Sequence, residues 1–160
     1  MRGLDRSQWS LALAFVATLA VIIADRLTKI FFSGLLALGE SLPVIPRVFH
    51  ITLVHNTGIA FGFFKDQGVV FIIVPVIAVI LLVFNIYYYR QNHAVIDRRY
   101  VVAFCLILGG ALGNLFDLMV FGYVIDFIDF RVWPVFNIAD SAITIGAVII
   151  AWQCFQLSEK

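Results

Sequence analysis

Charge is scarce in this chain. Only 13% of its 160 residues are Asp, Glu, Lys or Arg, while 62% are hydrophobic and the mean hydropathy is +1.02. An ordinary soluble domain is about 25% charged and about 45–50% apolar. A soluble fold of this size has no core large enough to hide so much apolar surface, so lipid is the solvent for much of the chain. The few charges nearly cancel, to +1, which leaves no basic field for nucleic acid. Cysteine is scarcer still: Cys105 and Cys154 both lie inside apolar runs, which argues against a disulfide framework and leaves two small hydrophobes. His50 and His55 lack a nearby third ligand, a weak metal signal. No activated Ser or Cys nucleophile, internal repeat or low-complexity segment is evident.

What the chain has instead is long apolar runs. A membrane helix needs roughly 20 mostly apolar residues at about 1.5 Å each. Trp9 to Phe32 is the first such span; it is too long for a signal-peptide core and no small-residue cleavage site ends it, so it reads as retained despite Arg2 and Arg6 before it. Asp25 and Lys29 share a face near its end, where Lys29 is expected to snorkel while pairing with the aspartate. Val69 to Tyr88 is a second span, bent by Pro75 and closed by Tyr87, Tyr88 and Tyr89. Tyr100 to Leu118 is a third, with Gly109 and Gly113 spaced for close helix packing and Asn114 and Asp117 near its outer end. Asn137 to about Leu157 is a fourth, where Asn137, Asp140, Ser141 and Thr144 form one polar stripe.

Between spans the composition changes. Ser33 to Gly68 holds Pro43, Pro46 and several glycines, and from Phe49 it alternates with period two: Phe49, Ile51 and Leu53 on one face, His50, Thr52 and Val54 on the other. That is a half-buried strand, followed by the turn signal His55-Asn56-Thr57-Gly58 and a second strand or dipping loop from Ile59 to Phe64. Val120 to Pro134 alternates too; as a strand it sends Asp126 and Asp129 to opposite faces, and only one can serve a common site. Arg2, Arg6, Arg90, Arg98, Arg99 and Lys160 lie on one side, with Arg47, Lys65 and Arg131 in the loops of the other. By the positive-inside rule both termini are cytoplasmic. The resulting domain is single and integral to the membrane over 1–160, with spans at 9–32, 69–89, 100–118 and 137–157, outer segments 33–68 and 119–136, and cytoplasmic segments 1–8, 90–99 and 158–160.

The stretch Val124 to Thr144 puts a carboxylate at the edge of hydrocarbon in Asp126 and another in Asp140. Such groups are costly and functional by default. Two carboxylates drawn together in a low-dielectric niche cannot both ionise cheaply; one keeps its proton and the other becomes a base. Together they can activate a water against a peptide carbonyl. Helix-cap or turn duty is the structural alternative for these aspartates. A small transporter or channel subunit using Asp25, Asp117, Asp126 and Asp140 as an ion path is the rival function.

Five blocks then carry a resemblance: Asp25-Arg26-Leu27-Thr28-Lys29; His55-Asn56-Thr57-Gly58-Ile59-Ala60-Phe61; Gly109-Gly110-Ala111-Leu112-Gly113-Asn114-Leu115; Val124-Ile125-Asp126-Phe127-Ile128-Asp129; and Phe136-Asn137-Ile138-Ala139-Asp140-Ser141-Ala142. In this order and spacing the chain resembles the lipoprotein signal peptidases (signal peptidase II), aspartic proteases of bacterial inner membranes. The resemblance implies an all-α membrane protein of four transmembrane helices, with a small periplasmic β-cradle and a short helical arm. It implies cleavage of diacylglyceryl-prolipoproteins just before the lipidated cysteine, by a monomer in the lipid bilayer that needs no metal or cofactor. By position it makes Asp126 and Asp140 the catalytic pair, choosing Asp126 over Asp129. It makes Asp25, Lys29, Asn56, Gly58, Gly110, Asn114, Asp117, Asn137 and Ala139 the supporting residues. One position departs: where the family usually has arginine after Asp117, this chain has Leu118, and a catalytically weakened, lipoprotein-binding relative is the expectation that departure raises.

Overall fold

The apolar run that follows Arg6 folds as one helix, α1 (Arg6–Leu35), longer at both ends than the span read from sequence. The structure is a computed structural model that describes residues 6–57, 80, 87 and 98–158. Its remaining elements are β1 (Ser41–Ile45), β2 (Phe49–Asn56), α2 (Arg98–Phe121), β3 (Val124–Asp129) and α3 (Ile138–Ser158). Among the described residues, α2 is long and apolar enough to cross a membrane; the apolar part of α3, Ile138–Gln153, is shorter. The second span expected at 69–89, the strand or dipping loop expected at 59–64 and Gly58 lie outside the described residues, save that Ile80 and Tyr87 are helical.

Three strands form one antiparallel sheet in the order β1-β2-β3. The alternation of β2 is realised: Ile51 and Leu53 turn inward with Ile125 and Phe127 of β3 and Leu36 beyond α1, forming a small apolar core. Phe32 and Phe127 touch at 4.6 Å between ring centres, which ties the sheet to the end of α1. β1 carries Pro43 inside it. Proline cannot donate to a ladder and is tolerated on edge strands, which is where β1 lies, exposed along its whole length. The far edge of β3 is partly closed by Phe136, which bridges to Ile128.

Glycine sets how closely the helices approach. A Cβ on Gly109 would lie 2.8 Å from that of Val21 on α1, and one on Gly113 would lie 2.8 Å from an Asp25 carboxylate oxygen. Gly110 faces the other way: its Cβ would run into the backbone oxygen of Ala139 and sit 2.9 Å from Ile143. α2 is therefore pressed between α1 and α3 along adjoining faces. Backbone cannot swing aside as a side-chain tip can, so Gly110→Ala is expected to cost about 1–3 kcal/mol. Gly34→Ala, with nothing within 4 Å, is expected to be neutral or stabilising. Thermal unfolding of both variants in one detergent checks the contrast.

Candidate active site

The first turn of α3 is closed by a reciprocal pair. Asn137 is its N-cap, and its side-chain oxygen accepts the Asp140 N–H at 2.9 Å. The Asp140 carboxylate reaches back to accept the Asn137 N–H at 3.2 Å. This is the capping-box arrangement that satisfies two helix-start donors at once. The intervening Ala139 N–H is taken by Asp25 of α1 at 3.0 Å. That is why residue 139 lies fully buried against Gly110. Capping and site-building are thus one arrangement at Asp140.

Asp126 lies at the middle of β3 and is only 1% exposed. One of its oxygens accepts from the Asn137 amide at 2.7 Å and the other from the Asn56 amide of β2 at 2.9 Å. Asn137 therefore touches both aspartates, Asp126 through its side chain and Asp140 through its backbone N–H. The second Asp140 oxygen accepts from the Asn114 amide at 2.7 Å. Burial first, and the neighbouring Asp140 charge second, push the Asp126 carboxyl up to about 7, against the opposing bonds from Asn56 and Asn137 and the charge of Lys29.

Behind the pair lies a buried ion cluster. Lys29 does not snorkel; it is fully buried and turns inward, 2.7 Å from Asp25, 2.8 Å from Asp117 and 3.0 Å from the Asn114 oxygen. A lysine this deep needs all its donors matched, and three acceptors from two helices provide that. Asp117, also fully buried, takes Arg26 at 2.7 Å on its other oxygen and accepts the Ile125 N–H at 3.2 Å. Asn114 and Asp117 thus brace the site by hydrogen bonds. Sequence reasoning misses Arg26; the signal for it is two acids, Asp25 and Asp117, inside spans with only Lys29 assigned to balance them.

Asp129 points away from this arrangement, as the strand alternation requires. It accepts from Thr52 at 2.7 Å and from Arg131, whose backbone N–H and guanidinium lie at 2.7 and 3.0 Å. Burial pushes this carboxyl up, but the Thr52 and Arg131 bonds outweigh it and hold it below the usual carboxylate range. Leu118 is buried at 7% exposed, and Asp117 is paired with Arg26 of α1. An apolar groove of about 500 Å³, walled by Phe130, Trp133, Phe136 and Ile145, opens onto Asp140, Ser141 and Thr144.

Two buried carboxyl groups bridged by one residue are an arrangement suited to a hydrolase of the aspartic type. A solved bacterial membrane enzyme, determined by the in meso method at 2.3 Å, is similar to this chain with a TM-score of 0.81 and 34% identity, over 91% of this chain and 88% of that one. Residues 17–156 match the family model described as Signal peptidase (SPase) II, and the chain belongs to that family. The lipoprotein signal peptidase of Halothermothrix orenii is 40% identical over 90% of this chain and 96% of its own length. That of Moorella thermoacetica is 43% identical over 84% and 87%.

Proposed function

We propose that this chain removes signal peptides from diacylglyceryl-modified prolipoproteins, cutting before the lipidated cysteine, with Asp126 and Asp140 activating a water. The observation that carries the reading is the Asn137 bridge: a single residue fixes the separation of two carboxyl groups, one buried in a strand and one at a helix start. Asp126, pushed up to about 7, is the member that holds the shared proton. Asp140, in the first turn of α3 where the helix dipole favours negative charge, is the base. Asp140 takes a proton from water as the water oxygen bonds to the peptide carbonyl carbon, and Asp126 gives its proton to the carbonyl oxygen. The tetrahedral product then collapses: Asp126 recovers the hydroxyl proton, Asp140 passes its proton to the departing nitrogen, and the C–N bond breaks. One water is consumed and the pair returns to its starting charge.

In this reading the chain crosses the membrane four times with both termini in the cytoplasm, and β1, β2 and β3 form a cradle on the outer side. It acts as a monomer. The scissile bond of a lipidated precursor lies at that surface, and the groove beside Asp140 receives apolar parts of the substrate. The rival ion-path reading is not favoured, because the four acids gather into one linked cluster through Lys29, Asn114 and Asn137. The test is processing of a purified diacylglyceryl-prolipoprotein by the purified protein, read as a gel shift with mass analysis of the product. A product cut away from the modified cysteine, or equal processing of the unmodified precursor, overturns the substrate assignment.

A further inference from the structure

We infer that Arg26 is a positioning residue for the peptidase reaction, holding Asp117 so that Asp117 in turn fixes the strand carrying Asp126. The inference rests on the peptidase reading above. Three links make the relay. The Arg26 guanidinium lies over the rings of Phe116 and Phe121, 5.0 and 5.1 Å from their centres, and donates to Asp117 at 2.7 Å. Flanking rings of this kind favour a cation and hold it against Asp117. The second Asp117 oxygen accepts the N–H of Ile125, the residue before Asp126. The Ile125 carbonyl in turn accepts from Asn137 at 3.2 Å, the residue that bridges the two aspartates. A displacement of Asp117 is therefore passed to both sides of the catalytic pair within a few bonds.

Charge counting gives the same residue a second effect. Facing the site are Asp25, Arg26 and Lys29 from α1, Asp117 from α2, Asp126 from β3 and Asp140 from α3. Arg26 and Lys29 balance Asp25 and Asp117, leaving the catalytic pair with one shared proton and one negative charge. Without Arg26, Lys29 alone faces two buried acids as well as the pair, and the pair gives up its proton less readily. The side chain is 28% exposed, so its removal leaves an opening at the protein boundary rather than a sealed cavity. Leu118 is packed and has no vacancy to fill at Asp117, whose oxygens are already taken.

The test uses the full chain, the prolipoprotein gel-shift assay with kcat and KM separated, and the pH profile of kcat. Arg26→Gln is expected to lower kcat about 10–100-fold with KM little changed, and to move the alkaline limb to higher pH. Arg26→Lys, which keeps the charge without the fork, is expected to recover most of the loss and the parent profile. Leu118→Arg in the parent is expected to give no gain in turnover. A folded Arg26→Gln enzyme with parental kcat and profile overturns the inference, as does a loss that lysine does not rescue and that leaves the profile in place. If the glutamine variant does not fold, Phe116→Leu decides: it loosens the clamp and keeps the charge, so a several-fold fall in kcat supports the relay and an unchanged kcat overturns it. Asp126→Asn or Asp140→Asn remaining active would instead sink the peptidase reading itself, so the two failures are distinct.

Discussion

Asp126→Asn and Asp140→Asn are each expected to lower prolipoprotein processing on the order of 10⁴-fold, while Asp129→Asn keeps most of it. The amide is nearly isosteric, and its one carbonyl oxygen keeps one of the two N–H bonds that now reach each carboxylate, while its NH2 leaves the other unmet. What is lost is the exchangeable proton at 126 or the base at 140, and neither has a substitute nearby. Asp129 differs by address rather than by chemistry: it is bonded to Thr52 and Arg131 on the opposite face of β3. Gel-shift rates for the three variants check the assignment, and full activity in either of the first two would refute it.

A second large effect concerns pH. Because Asp126 must be protonated to donate, kcat/KM is expected to fall as pH rises through about 7, roughly tenfold per unit once well past it. Removing the Asn56 amide takes away a bond that favours the charged form, so Asn56→Ala is expected to move that limb upward. The same shift bears on stability. A carboxyl raised from the usual 3.8 to about 7 binds its proton more tightly folded than unfolded. Its stabilising contribution is complete below pH 3.8, declines as pH rises, and is gone above about 7. An amide in its place is neutral at every pH. Asp126→Asn is therefore expected to be inactive yet more stable than the parent at pH 8, by about 1–3 kcal/mol once the unmet N–H is counted, with the advantage gone near pH 4. Thermal midpoints at the two pH values check this; a variant less stable than the parent at pH 8 would contradict it.

Much of this is legible in the residues. Period two at Phe49 to Val54 and at Val124 to Phe130 marks β2 and β3 and separates Asp126 from Asp129, because alternation is a direct consequence of the pleat. The apolar runs at 100–118 and 137–157 locate α2 and α3 to within a few residues. β1 is hidden by Pro43, since a proline argues against a strand unless the strand is known to lie at an edge. Lys29 reads as a boundary residue because a lysine near a helix end ordinarily reaches for water. Its inward turn depends on Asn114 and Asp117, 85 or more positions away, which no local pattern reports. Arg26 escapes notice for the same reason. The double duty of Asn137 requires knowing that a strand passes beside its cap.

The buried cluster divides the chain's inheritance unevenly. Asp117, Asp126 and Asp140 are encoded downstream, whereas Arg26 and Lys29, which offset part of their charge, are encoded near the beginning. The segment synthesised first thus carries one positive charge in excess of Asp25, and the later segments carry a larger surplus of negative charge. Neither half is electrically content until they meet, so docking of the late helices on the early one is itself an act of partial neutralisation.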